Sequence, residues 1–137
     1  MSTKGVSTGV IVGIVAVIVV AVAAFFLLSA PGGGETRSFT VTAVELEGGA
    51  LALDPDTITV NRGDTVEITF ENPSGNTEVH NFYLLDFGVS TTDILPGESA
   101  AKVTFTADED GAFDYFCNVS GHRPLGMEGT LRVIVQG

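Results

Sequence analysis

The chain is short of residues that form disulfides or bind soft metal ions. Its 137 residues include one cysteine, two histidines and two methionines, one of them the initiator Met1. A single cysteine excludes an internal disulfide, and no third histidine is present to build a second metal centre. Basic residues are also few, since six lysines and arginines stand against 17 aspartates and glutamates and the formal net charge is −11. Nucleic acids need a basic footprint, so this acidity argues against a nucleic-acid partner.

The cysteine, one of the two histidines and the second methionine nevertheless lie within one short stretch of the chain. Cys117, His122 and Met127 follow one another with the spacing C-x4-H-x4-M, and His80 lies upstream in an apolar segment. Two imidazoles, a thiolate and a weak thioether form the ligand set of blue-copper sites. The alternative is a buried cysteine that packs as a small apolar residue, with two unrelated histidines, but this does not explain their joint spacing. We therefore predict one copper ion bound by His80, Cys117 and His122, with Met127 as axial ligand.

The first 34 residues differ sharply from the rest, because they contain no acidic residue and only one basic side chain, Lys4. Residues 9–28 are uncharged and almost wholly apolar, and as a helix they would span about 30 Å, the thickness of a bilayer core. The apolar core of a cleavable signal is shorter, about 7–15 residues. We predict an uncleaved membrane anchor over residues 1–29. Lys4 favours a single-pass orientation with the remaining chain on the extracytoplasmic side.

A second interpretation of the same segment stays open. Lys4-Gly5 followed by an unbroken apolar helix resembles the pilin-type leader of prokaryotes, and such a helix would assemble into a filament core. The acidic residue that bacterial pilins usually carry early in the mature helix is absent here. In either case, residues 30–36 contain three consecutive glycines after Pro31, which predicts a short flexible tether.

From residue 37 to residue 137, apolar and polar residues alternate with the period of two that is typical of β-strands. Gly- and Asn-rich turns, such as 61–64 and 72–76, separate these runs. The pattern predicts an all-β domain, a Greek-key antiparallel β-sandwich of seven or eight short strands. Phe113, Tyr115 and Cys117 share one face of a predicted strand, so the thiolate would lie at the end of a core strand.

Two stretches, which together span this domain, resemble the cupredoxin family. The first is Leu53-x-Pro55-x-x-Ile58-x-Val60-x-x-Gly63-Asp64-x-Val66, which is similar to the family's early strand pair. The second is the ligand set, whose C-x4-H-x4-M spacing resembles the sulfocyanin and rusticyanin branch more than the plastocyanins or azurins. The resemblance implies a cupredoxin-like sandwich over 37–137 that holds one type 1 copper ion.

The resemblance also implies roles for neighbours of the ligands. Asn81, directly after His80, matches the position of an asparagine that ties the ligand loops together in many cupredoxins. Its backbone N–H would donate toward the Cys117 sulfur. An apolar surround that raises the copper potential would come from four residues: Phe82, Phe116, Pro124 and Leu125.

Few residues remain for an enzyme. There is no histidine for a further copper centre, and the binuclear copper centre of oxidase subunits needs two cysteines. A cysteine nucleophile would need a thiolate that is free of copper. We predict a membrane-anchored carrier, not an enzyme, that cycles Cu(II)/Cu(I) between respiratory-chain partners, a cytochrome or terminal oxidase, outside a prokaryotic cell. The alternatives are a non-redox copper-storage protein and a copper-bearing pilin-like structural subunit.

Overall fold

A computed structural model describes residues 34–100 and 102–137. The predicted membrane anchor, residues 1–29, and the first part of the tether lie outside the described residues. Within residues 34–100 and 102–137, no helix is both long and apolar enough to cross a membrane. The segment Gly34–Gly137 forms one compact unit, which contains all the predicted copper ligands.

The described residues form ten strands and three short 3-10 turns. The turns are Glu47–Gly49, Leu85–Phe87 and Arg123–Leu125. In chain order the strands are β1 (Thr36–Glu45), β2 (Leu51–Asp54), β3 (Thr57–Asn61), β4 (Thr65–Asn72), β5 (Tyr83–Leu84), β6 (Val89–Ser90), β7 (Glu98–Ser99), β8 (Val103–Thr106), β9 (Gly111–Phe116) and β10 (Glu128–Ile134). Threonine, valine, isoleucine and phenylalanine dominate the longer strands, and these residues favour the pleated backbone.

The strands form the two sheets of a sandwich. The first sheet has the order β2-β1-β4-β7, and β8 also pairs with β4. The second has the order β3-β10-β9-β5-β6. The all-β prediction is confirmed, and β9, which leads to Cys117, lies in the middle of the second sheet.

The prediction of a purely antiparallel sandwich is wrong, because both sheets are mixed. β1 runs parallel to β4, and β10 runs parallel to β3. The cause is the path between β1 and β4. β2 pairs with β1 in the first sheet, and after Pro55 and Asp56 the chain continues as β3 in the second sheet. Only two reversals therefore separate β1 from β4, which leaves these strands parallel.

The core lies between the two sheets, where alternating apolar side chains meet. In β4 and β10 the inward-facing residues are buried: Val66, Ile68, Phe70, Leu131 and Val133. Each fully buried side chain of this size contributes about 1.5–3 kcal/mol relative to an exposed one. The predicted alternation fails at Val135, which is 60% exposed because β10 ends one residue earlier, at Ile134.

The turn between β3 and β4 connects the two sheets and depends on one buried carboxylate. Asp64 is 2% exposed. Its two oxygens accept the backbone N–H groups of Glu35 and Asn61, each at 2.9 Å. Gly63 has a φ of 95°, a left-handed conformation that favours glycine. Gly63 and Asp64 therefore stabilise the turn that the sequence predicts at residues 61–64.

Candidate metal centre

Three of the four predicted ligands converge at one end of the sandwich. The possible ligand atoms of His80, Cys117 and His122 all lie within 4.8 Å of one another. His80 and Cys117 are fully buried, as is Met127, whereas His122 is 7% exposed. The structure thus brings together residues that are far apart in sequence and shields them from water.

Cys117, His122 and Met127 lie on one loop, residues 117–127, here called the ligand loop. Cys117 directly follows β9, and its backbone N–H donates to the Met127 carbonyl at 3.1 Å. The Met127 N–H donates to the His122 carbonyl at 3.2 Å, and the His122 N–H donates to the Val119 carbonyl at 3.0 Å. These backbone bonds fold the loop on itself, so that the strand end, the imidazole and the thioether residue are neighbours.

Gly126 lets the ligand loop close against β2. Its φ is 109°, and a Cβ at this position would lie 2.6 Å from the Leu51 carbonyl oxygen. Both the left-handed backbone and the close approach require glycine. The loop therefore passes β2 at a distance that no larger residue permits.

His80 is held differently, in the segment of residues 72–80, here called the His80 segment. The alternating pattern would place His80 on a strand, but this residue lies outside the ten strands and forms a single bridge with Ile94. The buried amide of Asn72 donates to the carbonyls of Glu78 at 2.9 Å and Ile94 at 2.8 Å. One side chain therefore holds both sides of the bridge that positions His80.

The outer ring nitrogens of the two histidines each meet a carboxylate. Nε2 of His80 lies 2.9 Å from Glu45, and Nε2 of His122 lies 3.0 Å from Glu78. An ionised carboxylate only accepts hydrogen bonds, so in the neutral imidazole the proton lies on Nε2 and Nδ1 keeps a free lone pair. The two Nδ1 atoms face each other at 3.1 Å. The Cys117 sulfur lies 3.6 Å from Nδ1 of His122 and 4.0 Å from that of His80.

Glu45 is ionised in this setting. Burial alone raises the pKa of Glu45, but hydrogen bonds from the backbone of Thr77 and Glu78, from His80 and from the Thr77 hydroxyl outweigh it and lower the pKa to about 2. Neither Glu45 nor Glu78 could be predicted as a partner of the ligands from the sequence. Glu45 stands at the end of a strand 35 residues before His80, where an acidic residue looks like any solvated charge.

The Cys117 sulfur has backbone donors. Burial raises the pKa of the Cys117 thiol above its usual value, and hydrogen bonds from the backbone of Asn81 and Val119 offset only part of this rise. The Asn81 N–H lies 3.5 Å from the sulfur. The Asn81 side chain accepts the Asn118 N–H at 2.6 Å and donates to Asp93 at 2.8 Å. Asn81 therefore ties His80 to the ligand loop, which confirms the role that the resemblance implied.

The expected apolar surround is only half buried. Phe82 is fully buried against Tyr115, with ring centroids 5.5 Å apart, and Phe116 is 9% exposed. Arg123 lies over the Phe116 ring at 4.2 Å from its centroid. Leu125 is 52% exposed, and Pro124 is exposed as well. These last two residues form part of the surface next to His122 instead of lining the site.

The arrangement fits a bound cation, and copper in particular. Two lone pairs that face each other at 3.1 Å repel unless positive charge lies between them. A nearby cation also favours the thiolate over the thiol. The thiolate and the thioether are soft ligands, and in combination with two imidazoles they are typical of type 1 copper.

Comparisons with known proteins agree with this chemistry. Residues 16–133 match the family model for the Cupredoxin-like domain. Auracyanin-A of Chloroflexus aurantiacus is 30% identical over 115 residues, which cover 64% of this chain and 70% of that protein. The copper-containing nitrite reductase of Alcaligenes xylosoxydans xylosoxydans is 36% identical over 90 residues, which cover 57% of this chain. The chain spans only 26% of the length of that nitrite reductase.

Solved structures show the same relationship. A copper nitrite reductase from Nitrosomonas europaea superposes with a TM-score of 0.65 at 30% identity, covering 74% of this chain and 42% of that one. Auracyanin A, described as a "blue" copper protein, superposes with a TM-score of 0.58 at 26% identity, covering 72% of this chain and 99% of that one. The closeness to sulfocyanins and rusticyanins stays a prediction. The chain belongs to the cupredoxin family, and copper is the cofactor that its buried ligand cluster fits.

Proposed function

We propose that the chain is a membrane-anchored electron-transfer protein that exchanges single electrons with respiratory partners through a mononuclear blue-copper site. The buried cluster of His80, Cys117 and His122 is the observation that carries this proposal. The two Nδ1 atoms, the Cys117 sulfur and the Met127 thioether would hold the ion. Bound copper supplies one-electron chemistry between Cu(II) and Cu(I).

The surrounding residues suit electron transfer because they hold the ligands still. Hydrogen bonds within the ligand loop, the Asn72 amide and the Asn81 side chain all restrain the ligand positions. A site whose ligands are already positioned needs little rearrangement when its charge changes. The burial of His80, Cys117 and Met127 also keeps water from the site, which influences the reduction potential.

Electrons would leave through His122, since its imidazole is the most exposed part of the cluster, with 9% of its side chain accessible. The exposed Leu125 lies three residues away and offers an apolar contact. Weak redox encounters need only small interfaces. The net charge of −11 would attract a basic partner, such as a cytochrome or the docking face of a terminal oxidase.

A carrier accounts for the residues better than an enzyme does. Nitrite reductases are among the relatives, but this chain spans about a quarter of their length. The two histidines of the chain both lie in the one cluster, so neither is left for a second metal site. A pure carrier needs no second site.

The decisive experiment is optical spectroscopy with redox titration of the full chain after loading with copper. A carrier should bind one copper ion, show an intense thiolate-to-copper absorption band and undergo a reversible one-electron change. A storage protein would bind copper without this reversible couple, and that result would overturn the proposal.

The membrane location, with the cupredoxin domain outside the cell, rests on the composition of residues 9–28. The full chain should pellet with membranes and need detergent for extraction. A chain that lacks residues 1–30 should remain in the soluble fraction with its copper. Pelleting of the full chain as filaments in the presence of detergent would instead support the pilin-like subunit.

A further inference from the structure

Each histidine of the copper site meets a glutamate at its outer ring nitrogen, although only one of the two histidines is fully buried. Glu45 meets the buried His80, and Glu78 meets His122 at the surface. A carboxylate on the far nitrogen of a metal-binding histidine orients the ring and raises its basicity as a ligand. The negative charges of both groups therefore lie one imidazole ring away from the ion.

Glu45 is part of a connected hydrogen-bond network. Besides His80, its carboxylate accepts the backbone N–H groups of Thr77 and Glu78 and the Thr77 hydroxyl, at 2.9–3.1 Å. Its side chain is 18% exposed. The last residue of β1 thus holds the His80 segment at two consecutive residues, Thr77 and Glu78, and also contacts the ligand His80.

Glu78 is connected to the same network through its backbone. Its N–H donates to Glu45 at 2.9 Å, and its carbonyl accepts the Asn72 amide at 2.9 Å. The side chain, 55% exposed, reaches from this restrained backbone to Nε2 of His122. Glu78 therefore connects the His80 segment to the exposed histidine of the ligand loop.

We propose that Glu45 and Glu78 are positioning residues of the copper site, which hold the Nε2 protons, direct both Nδ1 atoms toward the ion and lower its reduction potential. The inference rests on the proposed function. Negative charge near the ion stabilises Cu(II) more than Cu(I), since the attraction grows with the charge of the ion. The charge of Glu45 is less screened by solvent than that of Glu78, so its effect should be larger.

Three glutamine variants of the full chain test this inference: Glu45→Gln, Glu78→Gln and, as control, Glu67→Gln. Glu67 also accepts side-chain hydrogen bonds, from Ser38 and Lys102, but it lies on β4 and contacts neither histidine. Each variant removes one negative charge and keeps an oxygen acceptor. The measurements are the copper absorption spectrum, the reduction potential, and nitrogen NMR of the histidine rings in the metal-free protein.

We expect Glu45→Gln to shift the ratio of Cu(II) to Cu(I) affinity about tenfold toward Cu(I), a rise in potential of about 59 mV for one electron. Glu78→Gln should shift the same affinity ratio about threefold, a rise in potential of about 28 mV. High salt should reduce the potential shift of Glu78→Gln more than that of Glu45→Gln. Glu67→Gln should leave the potential unchanged. In the metal-free protein, both rings should carry their proton on Nε2, and His122 should become a tautomer mixture in Glu78→Gln.

Equal potentials in all three variants would overturn the inference. Should Glu45→Gln fail to fold, Glu78→Gln decides alone, because its side chain is 55% exposed and, among the described residues, forms a single ion pair, with His122. Failure of the proposed function looks different, since the unsubstituted chain would then lack the blue band or the reversible couple. The NMR measurement needs no copper and separates the two failures.

Discussion

The ligand loop and the His80 segment contribute to the same copper site by different means. The ligand loop, residues 117–127, holds three predicted ligands, mainly through its own backbone hydrogen bonds. The His80 segment, residues 72–80, holds one ligand through side chains, above all the Asn72 amide and the Glu45 carboxylate. The first is a local structure that its sequence largely specifies. The second depends on partners elsewhere in the fold, the Glu45 carboxylate and the Ile94 carbonyl.

This difference determines what a substitution does in each region. Backbone bonds within a loop survive most side-chain changes, so the ligand loop should be sensitive only at its ligands and its constrained glycines. The His80 segment should lose its shape when a single buried side chain is removed, because a buried carbonyl without a partner costs about 1–3 kcal/mol.

The largest effect is expected at the thiolate of the ligand loop. Cys117→Ser should abolish the intense absorption of the copper-loaded chain, because the band requires sulfur bound to the ion. Ser120→Ala, in the same loop but exposed, should keep the full colour. Absorption spectra after copper titration make the comparison, and a blue Cys117→Ser variant would contradict the ligand assignment.

The next largest effect is a loss of stability at the two glycines of the ligand loop, and it should differ between them. Gly121 and Gly126 both have positive φ, 83° and 109°, but only a Cβ on Gly126 would collide with the Leu51 carbonyl. Gly121→Ala should destabilise the protein by about 1–2 kcal/mol from the left-handed backbone alone. Gly126→Ala should cost a further 1–3 kcal/mol, approximately, from the steric overlap. Denaturant unfolding of both variants measures this, and equal losses would mean that the loop can move away from β2.

A matched change in the His80 segment is Asn72→Ala. It removes two donors from buried or half-buried carbonyls, so we expect a loss of about 1–3 kcal/mol in the free energy of unfolding. Copper affinity should fall about tenfold, as is typical for the loss of a group that supports a ligand. Asn118→Ala, whose side chain is exposed, serves as control. Copper titration shows the contrast, and full affinity in Asn72→Ala would mean that the segment keeps its shape without the amide.

The same contrast explains how much of the site the sequence could predict. Cys117, His122 and Met127 were recognisable because a short loop imposes a fixed spacing on its ligands. His80 was recognisable only as the partner that the ligand set required. Its place in a bridge with Ile94 could not be predicted from the sequence. Glu45 was invisible, since nothing near it in the sequence indicates a histidine 35 residues later.

The fold was predictable to a similar extent. Alternation correctly placed Ile68 and Leu131 in the core, because it reports which face of a strand is buried. It says nothing about the direction of the neighbouring strand, so the parallel pairs β1–β4 and β3–β10 were missed. Strand direction depends on how many times the chain reverses, and the step from β2 to β3 across Pro55 changes sheet with no full turn between them.

A smaller effect is expected at the axial position of the ligand loop. Met127→Leu should keep the blue band and raise the reduction potential, because removal of a weak donor disfavours Cu(II). Met127→Gln should lower it. Leucine is close to methionine in volume, so the cost in stability should stay below about 1.5 kcal/mol. Spectroelectrochemistry gives both potentials, and two unchanged values would exclude Met127 as a ligand.

The smallest effect on the site itself is expected at Leu125, on the outer side of the ligand loop. Leu125→Glu should leave the copper spectrum and potential nearly unchanged, because this side chain is 52% exposed. It should nevertheless slow electron transfer to a redox partner, since a charge on the contact surface must be desolvated when the partner docks. The control is Val135→Glu, which adds the same charge after β10, at the end of the sheet away from Met127.

Stopped-flow electron transfer with a basic cytochrome distinguishes these two variants. Both add one negative charge, so a general electrostatic effect would change both rates alike and would vanish at high salt. A contact effect would slow only Leu125→Glu and would persist at high salt. Equal rates for the two variants would place the exit elsewhere, for example along β9 from Cys117 toward Tyr115, and the ligand loop would then hold the copper ion without presenting it to the partner.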